Sequence, residues 1–167
     1  IKMAPPFCTP TATLFGMLGS TLATALSNFG AAYGTAKAGL AIASCGVMRP
    51  DLVMRSIIPA VMAGILGVYG LIVGVIICSQ IRTDYSLYQG YCHLAAGLIS
   101  GFSCAASGFT IGVAGDAGIR GTAQQSKLFV ASMLILIFGE ALAIYGIIVS
   151  LVLISSPSAN NLCVPIK

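Results

Sequence analysis

The 167-residue sequence contains no tryptophan, one histidine and four acidic side chains, and only 7% of it is charged. Each scarcity removes a class of function. The eight Lys and Arg residues, which give a formal net charge of +4, are scattered singly and form no run or stripe that could track phosphates. Nucleic acid is therefore not a partner. No GxxxxGK[ST], GxSxG or HExxH pattern occurs, so the chain has no visible catalytic site and no means of hydrolysing nucleotide itself. Cys8, Cys45, Cys78, Cys92, Cys104 and Cys163 make no CxxC and no Cys/His cluster of ligand spacing, which leaves no metal or cofactor to expect. They read as small apolar filler; only Cys8 and Cys163, near opposite termini, are placed to form a disulfide.

What is present is apolar: 57% of residues are hydrophobic and the mean hydropathy is +1.00, more than the surface of a soluble domain of this size could hide. The expected fold is an all-α membrane protein with four transmembrane helices, at about residues 11–36, 57–78, 91–114 and 128–154. They pair as two tandem hairpins, 1–80 and 81–167, within one membrane domain. Each segment approaches or exceeds the roughly 20 residues needed to cross a bilayer. The first is expected to act as its own insertion signal. Pro59 falls in the first turn of the second, where its missing N–H had no helical partner in any case.

Small residues recur every three or four positions in the first and third segments: Gly16, Ser20, Ala23, Ser27, Gly30, Gly34, and Gly97, Gly101, Ala105, Gly108, Gly112, Gly115. In lipid, close backbone approach along such stripes supplies the packing energy that hydrophobicity cannot. These two helices are expected to form an inner layer, and the bulkier second and fourth to face lipid. The halves also repeat. VMAGILGVYG lies opposite IFGEALAIYG, with Gly64 against Glu140 and Tyr69 against Tyr145, and KAGL at Lys37 matches DAGI at Asp116 after one loop deletion. Five basic residues, Lys37, Arg49, Arg55, Arg120 and Lys127, flank the first and third loops, against Lys2, Arg82 and Lys167 on the other side. That asymmetry predicts loops 37–56 and 115–127 in the cytosol and lumenal termini.

Glu140 is the chemically distinctive residue. It sits near the middle of the last apolar run, where a charge costs about 2.5–3.5 kcal/mol, so it is a functional site unless a base pairs with it. None is expected at that depth. A buried carboxyl without a base is held neutral and releases its proton only where water or a cation is offered. Sodium would need several oxygen ligands, yet Ile57–Cys78 holds no Ser, Thr, Asn or Gln. The transported ion is therefore read as a proton, with the Tyr69 hydroxyl as a hydrogen-bond partner of Glu140 or simply a packing aromatic. His93 reads as an interfacial anchor rather than a proton relay.

The runs GAAYGTAKAGLAIASCGVMRPDLVMRSIIPAVMAGILGVYGLIVGVII and GVAGDAGIRGTAQQSKLFVASMLILIFGEALAIYGIIVSLVL resemble the c-type proteolipid family of eukaryotic vacuolar-type proton ATPases. The resemblance covers almost the whole chain. It implies a ring of c-type proteolipids turned by an ATP-hydrolysing head through a central stalk, whose d subunit sits on the cytosolic loops. It carries the family's proton-binding glutamate onto Glu140, facing an arginine of the stator's a subunit, and implies residence in vacuolar, lysosomal or other acidic endomembranes. It also implies that the first and third helices line the ring's inner wall. Asp51 stands where many members have Glu, and Gly139 where Ala is frequent. The competing reading is a small four-helix proton-coupled antiporter using Glu140; those proteins carry the acid on the first helix and use Trp in the cavity.

Overall fold

The computed structural model describes residues 10–81 and 85–155. All regular structure within them is helical: α1 (Pro10–Met48), a 3-10 turn (Pro50–Leu52), α2 (Val53–Ser56), α3 (Ile58–Gln80), α4 (Leu87–Gln124) and α5 (Leu128–Ser155). Among the described residues three stretches are long and apolar enough to span a membrane: Pro50–Gln80, Leu87–Gln124 and Leu128–Ser155. Helix α1 has the length, at 39 residues. Its Gly, Ser, Thr and Asn residues dilute the hydropathy that the other three possess, so the expected fourth span rests on its place in the bundle.

Two helices run well past the expected apolar segments. Helix α1 continues twelve residues beyond Ala36 to Met48, and α4 ten beyond Ala114 to Gln124. Loops 37–56 and 115–127 are accordingly shorter than expected. Charge ended the apolar segments but does not end a helix: Lys37, Asp116 and Arg120 all lie within helices, and the Arg120 Nε to Asp116 Oδ1 pair at 2.7 Å spans one helical turn. At 1.5 Å per residue α1 is about 58 Å long, roughly twice a hydrocarbon core. The start of α4 is fixed by a capping box: Ser86 Oγ accepts from the Gln89 N–H and Gln89 Oε1 from the Ser86 N–H, both at 3.2 Å.

Helices α1 and α4 make the most extensive contact, α3 covers α1, and α5 covers α4. The result is two layers, α1 with α4 and α3 with α5. Only 28% of the apolar window of α5 is buried against 44% for α4, which makes α5 one of the outward-facing pair. The small-residue stripes explain the closeness. A Cβ added at Gly97 would stand 2.9 Å from Gly19 Cα, and one at Gly108 would stand 2.7 Å from Gly30 Cα. Gly101 lies against Leu22 and Leu26, and Gly112 against Gly34 and Tyr33.

The α1 stripe is not a single surface. Gly30 faces α4 and Gly34 lies between Ala63 of α3 and Gly108 of α4, whereas Ser27 packs on Gly70 and Ser20 on Gly74 of α3, and Gly16 meets the Tyr85 ring. Alternating steps of three and four residues keep a stripe narrow, and α1 is wedged between two neighbours, so adjacent members serve different helices. Gly19, outside the expected stripe, supplies the closest approach to α4.

Candidate functional site

Glu140 and Tyr69 arrive from different halves of the chain. Tyr69 is three turns into α3, Glu140 three turns into α5, and the Tyr69 hydroxyl donates to Glu140 Oε1 at 3.2 Å. Both side chains are half-buried. Beneath them lies a sealed apolar cluster of Leu66, Cys104, Ile111, Leu136 and Ala143. Outside, Phe138 is 73% exposed and Tyr145 62%. The carboxyl thus sits at the rim of the bundle, on the side a bilayer would cover, rather than in its centre. Among the described residues no Lys or Arg pairs with it, and the one ion pair, Asp116–Arg120, belongs to the C-terminal part of α4.

The backbone that carries the acid is held from inside. Ser107 Oγ, fully buried on α4, donates to the Gly139 carbonyl at 2.7 Å. A carbonyl in a helix already accepts one bond, so this second one ties α5 to α4 one residue before Glu140. Gly139 permits it: a Cβ there would lie 3.3 Å from Thr110 Cγ2 and 3.4 Å from Ile111 Cγ1. Sequence reasoning noticed Gly139 and missed Ser107, although a hydroxyl just outside a glycine stripe, next to Gly108, was the available signal. A shallow cleft between α2, α3, α4 and α5, lined by Ser56, Pro59, Thr122, Ser132 and Leu136, ends one turn from Glu140.

His93 is not an interfacial anchor. It is 2% exposed, and its Nδ1 lies 2.5 Å from the hydroxyl of the equally buried Tyr85. Burial, and secondarily the nearby Cys92, push the Tyr85 hydroxyl up to about 12, so it keeps its proton. This pair lies at the start of α4, far along the bundle from Glu140. Cys104 is buried as filler, Cys45 and Cys92 are half-buried, Cys78 is exposed and lies 3.1 Å from Ser20 Oγ; Cys8 and Cys163 fall outside the described residues. Among the described residues no three His, Cys, Asp or Glu side chains gather as a metal would require.

The geometry matches what comparison finds. A model of the ATP synthase C-subunit family matches twice, over residues 18–77 and 94–153, which establishes the tandem repeat at an offset of 76. The V-type proton ATPase 16 kDa proteolipid subunit of Chrysotila carterae is 55% identical over 154 residues, covering 89% of this chain and 94% of that one. The 16 kDa proteolipid c subunit of the V-type proton ATPase of Homo sapiens is 54% identical over 142 residues, 85% and 92% of the two chains. The c subunit of the V-type proton ATPase of Candida tropicalis is 48% identical over 156 residues, 93% and 98%. None of these names favours an antiporter. A duplicated helical repeat, apolar enough to span a bilayer and matched over most of its length to such relatives, belongs to the family of V-type proton ATPase 16 kDa proteolipid subunits.

Proposed function

We propose that the chain is a rotor subunit of the membrane sector of a V-type ATPase and that Glu140 is its proton carrier. The single observation behind this reading is a carboxyl at the apolar rim of the bundle, hydrogen-bonded to the Tyr69 hydroxyl and free of any basic partner among the described residues. An ionised group there is expensive in lipid, and a neutral one is tolerated. The acid therefore crosses the lipid-facing arc protonated. It ionises only opposite a fixed positive charge, an arginine of the stator's a subunit, with water on either side to supply and receive the proton.

In this reading copies of the chain form a ring, with α1 and α4 on its inner wall, and α3 and α5 outside. The connections after α1 and α4 face the cytosol and the d subunit of the central stalk, the termini face the lumen, and the membrane is that of a vacuole, lysosome or similar acidic compartment. The ring supplies no chemistry of its own beyond proton binding; ATP is hydrolysed elsewhere in the complex. Moving one charge against 100 mV costs about 2.3 kcal/mol. A tenfold proton gradient adds about 1.4 kcal/mol, so one ATP can drive several such steps.

Glu140→Gln preserves size and hydrogen bonding while abolishing ionisation. In membranes holding the assembled complex it is expected to reduce ATP-driven acidification to background without loss of ring or head. Acidification persisting at more than a few per cent of the native rate would overturn the assignment.

A further inference from the structure

The repeat leaves one of its own interfaces half made. Within the chain, the α3 edge formed by Leu66, Tyr69 and Val73 is covered by the second repeat, Leu66 and Val73 completely. The residues 76 positions later on α5, Leu142, Tyr145 and Val149, are 50%, 62% and 47% exposed. The opposite edge shows the converse. Cys104 and Ala143 are fully buried beside Tyr69, and Glu140 bonds its hydroxyl. Their counterparts in the first repeat are Asn28, which is exposed, Gly67, which is half-buried, and Gly64, around whose added Cβ nothing lies within 4 Å. Asn28 turns its amide oxygen toward Gly67 on α3, and among the described residues neither Asn28 nor Tyr145 makes a hydrogen bond.

Building on the ring reading above, we propose that the two edges complete each other between copies. Tyr145 of one chain packs against Asn28 and the vacant Gly64 of the next, in the register in which Tyr69 packs against Cys104 and Glu140 inside the chain. The Tyr145 hydroxyl pairs with the Asn28 amide where the second repeat has a carboxyl. Each of these polar groups would otherwise face hydrocarbon, where an unmet hydrogen bond is costly. Since the two edges differ, the contact is head-to-tail and must close into a ring or continue indefinitely; it cannot stop at a symmetric pair. It also places a neutral polar pair, not a second acid, at every other repeat around the ring.

The test uses the assembled complex in membranes, in a chain whose native cysteines have been replaced. Asn28→Cys combined with Tyr145→Cys, treated with a short bis-maleimide, is expected to give a ladder of dimers, trimers and larger species on a denaturing gel, while either change alone leaves monomer. The internal control is Tyr69→Cys with Cys104 retained, which links within one chain. A working control with no ladder, or dimers from Tyr145→Cys alone, overturns the register. Imaging the same membranes distinguishes the two levels: a ring without the ladder sinks only this contact, and absence of any ring sinks the ring reading with it. Should the paired-cysteine chain not assemble, Asn28→Ala and Tyr145→Phe each reduce the ring's resistance to detergent dissociation, and together reduce it no further than either alone. Fully additive losses overturn the pairing.

Discussion

The two repeats pack alike and differ where chemistry enters. A Cβ on Gly70 would collide with Ser27 and the Ala23 carbonyl; one on Gly146, 76 residues later, would collide with Ser103 and approach the Ile99 carbonyl, the equivalents of both. That seam is common to the two copies. At the level of the acid they part. The first repeat places Ala31 near Ala63 with glycine at 64, while the second places Ser107 on Gly139 through a buried hydrogen bond and Glu140 next to it. Duplication thus supplied two equivalent scaffolds. One carries a carboxyl together with a tether for the backbone that bears it, and the other has Ala31 and Gly64 at those two positions. The tether and the acid are neighbours: the Ser107 bond holds α5 to α4 at the residue that precedes Glu140.

The largest effect should come from the feature that unites the copies. Gly108→Val places branched carbons into the Gly30 backbone, which cannot retreat as a side-chain tip could. Overpacking of this kind costs about 1–3 kcal/mol where side chains can adjust, and more is expected here. Folded protein in membranes should fall to a small fraction of the native level by immunoblot, and α1 and α4 should lose their contact. Normal accumulation would mean that this glycine seam is not what joins the repeats.

Next in size is the bond that separates them. Ser107→Ala converts the second repeat to the first repeat's Ala31 and removes the donor to the Gly139 carbonyl. That carbonyl keeps its helical partner, so the loss is one buried bond, about 0.5–1.5 kcal/mol. The detergent-solubilised protein should unfold at lower temperature, and ATP-driven acidification should fall several-fold as α5 gains rotational freedom. A stability loss with unchanged acidification would reduce Ser107 to a packing role.

Much of this arrangement was legible in the residues. A lone acid in a long apolar run and a tyrosine about one turn from its depth in the partner repeat pointed to the pair that the structure joins by a hydrogen bond, and paired glycine stripes pointed to the close helix pair, because composition and period decide those features. Helix ends were less readable. Lys37 and Asp116 mark where the apolar character stops, whereas the helices continue because nothing from Ala38 to Val47 or from Ala117 to Ala123 breaks them. His93 was misjudged since its partner, Tyr85, precedes the helix and is brought over it only by the chain's entry into α4. Ser107 was missed because its one signal, a hydroxyl beside Gly108, does not say which neighbouring backbone it bonds.

A smaller effect attends Tyr69→Phe. The ring stays, so the cluster of Leu66, Leu136 and Ala143 keeps its cover, and only the 3.2 Å bond to Glu140 Oε1 is lost. One such bond is worth about 0.5–1.5 kcal/mol, a change of about two- to tenfold in the rate of a step that depends on it. Proton pumping should slow by a factor in that range with ring abundance unchanged. Tyr145→Phe, at the equivalent place in the other repeat, should leave the acid's own step untouched, which makes the pair of variants a direct comparison of the two copies.

Gly139→Ala is the finest probe, since it gives the second repeat the residue that the first has at Ala63. In a helix interior the exchange gains about 0.8–1.0 kcal/mol from backbone entropy. Against that, the new methyl would stand 3.3 Å from Thr110 Cγ2 and 3.4 Å from Ile111 Cγ1, so α5 must shift by a few tenths of an ångström. Such a shift lengthens the Ser107 bond without breaking it. The net expectation is a gain in thermal stability of less than about 1 kcal/mol with pumping within twofold of native. If pumping instead collapses, the spacing between α4 and α5 at Gly139 governs the acid more tightly than the hydrogen bond does, and the difference between the repeats lies in how close their helices stand.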